Sequence, residues 1–396
     1  MTLIGVVKPD YGIAGGFERL LERLVAQLVD AGHRVEEVSF PAIILPRPVW
    51  GHRAGYHQWR KHIGFFNYLA LAEEVRRLDL SRYDLVISTQ PPTFLADHPN
   101  VLALFYHHAR IFYDLAELFA RTGDVDPVHH ARATEIVRQV DQKYNGGVRH
   151  WLAGSNECAS RLTEFWGVDR SDISLLHAPA LTAPPTNIPA WQPGGPVVTV
   201  SRHEWPKRTE LVVAAAHLLG GKGVEVIGGG GRLDHVRALD HRLVHQPGSV
   251  SSLDPEELWM GSAVGSVAPP APAPGSPVVL HGWTDDQTRD ERYRAASVVV
   301  APAHREDYGL TALEAMLWER PVVVCDDGGG LVDLINDTGG GLVVPPTPAG
   351  IADGVNRIIN DPALAASLID AAKQVSATYT WDRCKGELLA AVEKAL

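Results

Sequence analysis

The stretch 302–335 concentrates residues able to do chemistry. The apolar run Val298–Ala301 ends at Pro302, a loop carries Glu306, and a helix is expected to begin near Gly309, with Glu314 on it one to two turns later. The first N–H groups of a helix lack intrahelical partners and lie at the positive end of its dipole, so they hold anions. Two carboxylates beside such a site suit a ligand whose phosphates are flanked by hydroxyl-bearing sugars. The alternative is that Glu306 caps the helix and Glu314 is an ordinary solvated helical residue.

The elements that must position these residues read as two α/β domains. Leu3–Val7 is a buried-strand pattern, followed by a loop with Gly12, Gly15 and Gly16 and by Phe17, Leu20, Leu21, Leu24, Val25, Leu28 and Val29 at helical spacing. Further strand-like runs are Asp84–Thr89, Val101–Tyr106 and Trp151–Ser155, with amphipathic stretches at 112–121 and 128–144. The segment 178–196 holds six prolines together with Gly194-Gly195, which forbids regular structure and marks a linker at 179–196. The rhythm restarts with Val197–Ser201, Val224–Ile227, Val278–His281, Val298–Ala301, Val322–Cys325 and Leu342–Val344. Strands alternating with helices predict parallel sheets. The expected division is an N-terminal domain 1–178, the linker, a C-terminal domain 197–380 and a last helix over 381–396. Residues 241–277, which include Pro269-Pro270-Ala271-Pro272-Ala273-Pro274, are expected to be an inserted, mobile surface excursion.

Composition narrows the function. The 396 residues carry 36 Lys+Arg against 47 Asp+Glu, a net charge of −11, which argues against a nucleic-acid coat. The 3 cysteines, Cys158, Cys325 and Cys384, lie far apart and fit a reducing compartment. No apolar run is long enough to span a membrane. The chain enters a strand directly after Met1-Thr2, with no secretion signal, so a cytoplasmic location is expected. The glycine run Gly228–Gly231 fails the dinucleotide fingerprint because position 233 is Leu, and no metal site is indicated.

Glu306 and Glu314, with seven residues between them, resemble the paired-glutamate motif of retaining GT-B glycosyltransferases, in particular glycosyltransferase family 4. Other segments resemble the same family in the same order: Gly15-Gly16-Phe17-Glu18; Ser201-Arg202-His203-Glu204-Trp205-Pro206-Lys207; His281-Gly282-Trp283 followed by Tyr293; and Pro321-Val322-Val323-Val324 before Gly328-Gly329-Gly330. The resemblance covers nearly the whole chain apart from 241–277. It implies two Rossmann-like doubly wound domains facing across a cleft, the first for the acceptor and the second for a nucleotide sugar, with the last helix returning to the first.

Carried over by position, Arg202 and Lys207 would clamp the donor diphosphate and stabilise the charge of the leaving group. The backbone N–H groups of Leu310 and Thr311, after Gly309, would add to that clamp. Glu314 would accept hydrogen bonds from the ribose, and Glu306 would contact hydroxyls of the transferred sugar. Gly15 and Gly16 would let the first loop approach the phosphates. A histidine after Val101–Tyr106, His108 rather than His107, would line the cleft near the reacting sugar. The implied reaction is metal-independent transfer of a hexose with retention of configuration. The nucleotide sugar is a co-substrate, there is no other cofactor, and a leaving-group oxygen takes the acceptor proton. Where relatives have Ser, Gly and Glu, this chain has Ala303, Glu319 and Asp333, which leaves the donor sugar open.

Residues 41–72 contain no Asp or Glu but carry Arg47, Arg53, Arg60, Lys61, Trp50, Tyr56 and Trp59. Such a surface suits a phosphorylated or polyhydroxylated acceptor, small, lipid-linked or glycan, or contact with an anionic membrane; nucleic acid fits poorly. Two other readings stand beside transfer. One is a sugar-nucleotide epimerase of the same fold. The other is a non-catalytic protein that binds the sugar nucleotide.

Overall fold

The computed structural model describes residues 1–12, 15–42, 46–51, 53–182, 185–260 and 273–396. The chain divides into two units: residues 1–178 with 380–396, and residues 179–379.

The first unit is built on a six-stranded parallel sheet of order β2-β1-β3-β4-β5-β6. Its strands are β1 (Leu3–Asp10), β2 (Arg34–Pro41), β3 (Leu85–Ser88), β4 (Val101–Phe105), β5 (Val148–Ala153) and β6 (Ile173–Leu175). The inner strands are apolar on both faces because helices cover both sides of a parallel sheet. Every residue of β3 and β4 is buried. The edges differ. β2 carries Glu36 and Glu37 and alternates in exposure, and β6 has only three residues, so neither shows a continuous apolar run. The segment 112–121 is not one helix: a 3₁₀ turn at Arg110–Phe112 precedes a short helix at Ala116–Arg121.

The helix Trp381–Ala395 completes this unit, packing Cys384, Leu388, Ala391, Val392 and Ala395 inward. Glu387 fastens it, accepting from the His177 N–H at 2.7 Å and pairing with its imidazole at 2.7 Å. Burial would raise the Glu387 carboxyl, but His177 and Arg383 outweigh that and hold it below its ordinary range.

The second unit is a six-stranded parallel sheet of order β12-β11-β10-β7-β8-β9. Its strands are β7 (Val197–Val200), β8 (Val224–Ile227), β9 (Val278–Gly282), β10 (Val298–Ala301), β11 (Val322–Cys325) and β12 (Gly341–Val344). Counted within the unit this is the order 6-5-4-1-2-3, the doubly wound arrangement, and its switch point lies between β7 and β10. The helix Thr209–Ala216 is buried along its whole length, as its apolar sequence Leu211–Ala216 demands.

The 241–277 segment is not simply a surface excursion. Residues 241–245 finish the helix Leu233–His245, and a 3₁₀ run follows at Pro247–Ser252. The helix Pro255–Met260 then buries Leu258, Trp259 and Met260. Three apolar side chains in six residues give this piece a reason to dock. Residues 261–272, which hold most of the proline run, lie outside the described residues. Among the described residues no helix is long and apolar enough to cross a membrane.

A buried carboxyl in the first unit generates a pH prediction. Asp141 is fully buried and accepts from the Tyr68 and Tyr113 hydroxyls at 2.6 Å each. Burial pushes its carboxyl up to about 7, against the pull of those two hydrogen bonds. In the unfolded chain the same group titrates near ~3.9. The native state therefore holds the proton more tightly, so this group's contribution to stability falls as pH rises from about 4 to about 7 and levels off above. Asp141→Asn, neutral throughout, is expected to melt higher than the parent protein by about 2–4 °C or more at pH 8, with the gap shrinking toward pH 4. Melting curves of both proteins across that range check it, and a pH-independent gap contradicts it.

Candidate functional site

The C-terminal ends of β7 and β10 flank the switch point of the second sheet, where open α/β sheets bind ligands. The loop after β7 carries Arg202 and Lys207, and the loop after β10 carries Glu306. Their meeting is direct: Lys207 Nζ lies 2.6 Å from Glu306 Oε2, with both side chains largely buried. Residues 99 positions apart in sequence thus form one ion pair. Arg202, by contrast, is exposed on the same loop.

Backbone contacts hold both loops. The β10 loop is bonded to the loop after β11, with Arg305 N–H donating to Asp327 O at 2.8 Å and Glu306 N–H to Gly328 O at 2.9 Å; Gly330 N–H returns to Glu306 O at 2.8 Å. His304 N–H reaches back to Pro206 O at 2.8 Å, beside Lys207. The β7 loop is held on its other side by the glycine run. Gly228 has φ 121°, and a Cβ there would stand 1.9 Å from Ser201 O. No other residue fits that approach. His203, buried in this loop, is pushed down to about 4 by burial and by Arg237, so its imidazole is neutral at pH 7.

The helix Leu310–Leu317 starts at Gly309, whose φ of 102° lies in the left-handed region and whose Cα faces Leu331 so closely that a Cβ would come within 2.8 Å. The N–H groups of Ala312 and Leu313 both bond Gly309 O. Those of Leu310 and Thr311 precede them at the positive end of the helix, where an anion is favoured. Glu314 is only 9% exposed, and Tyr293 O–H donates toward it at 3.2 Å and toward Thr311 O at 3.3 Å. Burial and then the Glu314 charge push the Tyr293 phenol well above its ordinary range, so it stays a donor.

Three further polar side chains with no obvious sequence signal complete the cluster. Arg208, directly after Lys207, is buried in the left-handed region at φ 53°. Its guanidinium donates to Asp327 at 2.8 and 2.5 Å and to Pro302 O at 2.7 Å. His304 Nδ1 lies 2.9 Å from the same carboxylate. Burial alone would raise the Asp327 carboxyl, but His304 and Arg208 override it and hold it well below the usual carboxylate range. The only hint was position: Arg208 adjoins Lys207, and Asp327 precedes the run Gly328–Gly330.

The remaining candidates lie in the first unit. Gly15 is the N-cap of the helix Gly16–Asp30, and its N–H donates to Glu18 Oε2 at 2.8 Å. Glu18 Oε1 in turn accepts from Gln90 at 2.9 Å, so the loop after β1 is tied to the loop after β3 at that sheet's own switch point. His108 is fully buried, stacked on Tyr113 with ring centroids 4.2 Å apart and 3.7 Å from Asp114. His107 is partly exposed, its Nδ1 2.8 Å from His108 O. Within 41–72, Arg47 is paired with Glu73 and Glu74, and Trp59 is buried against Phe66. Tyr56, Arg60, Lys61 and Ile63 remain exposed. Among the described residues, no three His, Cys, Asp or Glu side chains form a group able to hold a metal ion.

The chain is similar to known proteins in both sequence and fold. Residues 275–375, which run from β9 past the helix Leu310–Leu317, match the family described as glycosyl transferases group 1. The chain is similar to a D-inositol 3-phosphate glycosyltransferase of Nocardiopsis dassonvillei, 26% identical over 423 aligned residues covering 96% of this chain and 90% of the relative. Its fold is similar to that of sucrose-phosphate synthase from Thermosynechococcus elongatus, with TM-score 0.64, 18% identity and 98% of each chain covered. It is also similar to Anabaena HepE solved with UDP-glucose, with TM-score 0.58, 13% identity and 99% and 100% coverage. Residues 275–375 thus match the group 1 glycosyl transferases, and the chain, with its two doubly wound units, has the GT-B fold.

Proposed function

We propose that this protein moves a hexose from a nucleoside diphosphate sugar to an acceptor hydroxyl, with retention of anomeric configuration. The observation that carries this reading is the Lys207–Glu306 pair at the switch point of the second sheet, beside the start of the helix Leu310–Leu317. A cation and unpaired N–H groups suit a diphosphate, and a carboxylate within reach of the same place suits sugar hydroxyls. Glu314, oriented by Tyr293, suits the ribose. That a similar fold holds UDP-glucose supports the donor class.

In this reading the C1–O bond to the diphosphate breaks with its electron pair leaving on the phosphate oxygen. The acceptor oxygen bonds C1 on the same face, and its proton passes to the departing phosphate. Lys207, Arg202 and the helix start stabilise the charge that develops on the diphosphate. Glu306, freed from Lys207 as the phosphate takes its place, orients the sugar. The first unit supplies the acceptor site, with the partly exposed His107 after β4, while Gly15 and Gly16 in its β1 loop would approach the donor phosphates; His108, expected to line the cleft, is fully buried against Tyr113 and can act only by positioning its neighbours. The exposed Arg60, Lys61 and Tyr56 suit a phosphorylated or polyhydroxylated acceptor, or the surface of a membrane that carries one.

Thermal unfolding with UDP, GDP, ADP, TDP and CMP tests the donor site. One nucleoside diphosphate at 100 times its dissociation constant is expected to stabilise the protein by about 2.7 kcal/mol. Glu314→Ala is expected to lose that effect; absence of any shift with all five ligands at millimolar concentration contradicts the assignment. Because protein cations serve the diphosphate, EDTA is expected to leave transfer unchanged, and a loss restored by Mg²⁺ or Mn²⁺ contradicts this. Incubation with the sugar nucleotide alone marks an epimerase by an epimerised product, and binding with neither hydrolysis nor transfer once hydroxyl-bearing acceptors are added marks a sensor.

A further inference from the structure

The segment that interrupts the second unit reaches its site. Trp259, on the helix Pro255–Met260, is 5% exposed. Its ring lies 5.6 Å from the Trp205 ring and 5.4 Å from the His304 imidazole, tilted by 38° and 34°. The Arg208 guanidinium carbon stands 5.3 Å above its centroid. One indole thus touches the residue after Lys207, another in the same 3₁₀ turn as Lys207, and one two positions before Glu306.

Arg208 and His304 share one further partner, the Asp327 carboxylate. The backbone of Asp327 and Gly328 receives the N–H groups of Arg305 and Glu306. A displaced Asp327 therefore moves Glu306 through two hydrogen bonds and Lys207 through Arg208. Asp327 itself is about one-third exposed, so water competes for its partners. The indole covers Arg208 and His304, and a cation over an aromatic face is held more strongly where water is excluded.

We propose that Trp259 and Asp327 are positioning residues for the Lys207–Glu306 pair, and that the inserted segment buttresses the sugar-transfer site through Trp259. This rests on the reading of that site as the donor site. Neither residue needs to touch the ligand. The nucleotide base, the ribose at Glu314 and the helix start at Gly309 supply donor affinity without them. Misplacement of Glu306 is therefore felt in turnover more than in binding.

The test uses the full chain and the rate of nucleoside diphosphate release from UDP-glucose, UDP-N-acetylglucosamine, GDP-mannose and ADP-glucose, followed with whichever is turned over fastest. Trp259→Phe keeps an aromatic face and Trp259→Leu keeps apolar bulk without one; melting temperatures confirm that both are folded. Trp259→Phe is expected to retain kcat within about threefold, whereas Trp259→Leu and Asp327→Asn each lose about 10–100-fold in kcat with donor KM changed by less than about threefold. The double variant Trp259→Leu with Asp327→Asn is expected to be no slower than the slower single variant, because the two act through one network.

Equal kcat for the Phe and Leu variants, or losses that multiply in the double variant, overturns the proposal while leaving the donor site standing. A parent protein that neither binds a nucleoside diphosphate nor releases one from any of the four sugars overturns the donor-site reading, and this inference with it.

Discussion

Two rungs of parallel pairing, Val197 with Val298 and Val198 with Val299, carry the arrangement on which the second unit depends. They join β7 to β10, the neighbours between which the winding of the sheet reverses. Chain leaving β7 turns one way and chain leaving β10 turns the other, so the space above their ends is not covered by a crossover helix. Both loops open into that space, and Lys207 and Glu306 meet there. A slip of one residue in this pairing would carry every side chain of β10 to the opposite face and the loop that follows with it. The fully buried β11 on one side and the largely buried β8 on the other make such a slip costly.

Above those rungs, the site is assembled mostly from backbone and borrowed charge. The β10 loop is fastened to the β11 loop by main-chain hydrogen bonds, and the β7 loop is pressed against Gly228. Of the cations on the β7 loop, Lys207 pairs with Glu306, while Arg208 is turned inward to Asp327. Neighbours in sequence thus take different partners. The left-handed backbone at Arg208 makes that possible, since it sends two consecutive side chains in directions that a strand or helix would not allow.

Much of this was legible in the residues. All six strands of the second sheet show apolar residues; β10 and β11 read most clearly because they are buried on both faces, whereas β8 carries Glu225 and the edge strands β9 and β12 expose Val279 and Val343. In the first sheet the inner strands read equally well. The edge strands β2 and β6 did not: Glu36 and Glu37 face water in β2, and Ile173–Leu175 is too short to form a pattern. Glu306, Glu314 and Lys207 could be picked out by spacing, yet their partners could not. Tyr293 behind Glu314 and Asp327 behind Arg208 are tertiary contacts over 21 and 119 residues. Burial of Trp259 ran against a proline-rich context that suggested an excursion, because the three apolar residues that dock the short helix lie just before that run.

The passage of the chain through its two units has a consequence for synthesis. The first unit is discontinuous: residues 1–178 must wait for 380–396 before its sheet is fully covered. The second unit is an unbroken stretch and can close as soon as it leaves the ribosome. At roughly 5–20 residues per second, the intervening segment takes on the order of 10–40 s to emerge. During that interval the surface later covered by Cys384, Leu388 and Val392 is apolar and open. The first unit, begun first in the chain, is therefore the last whose residues are all available.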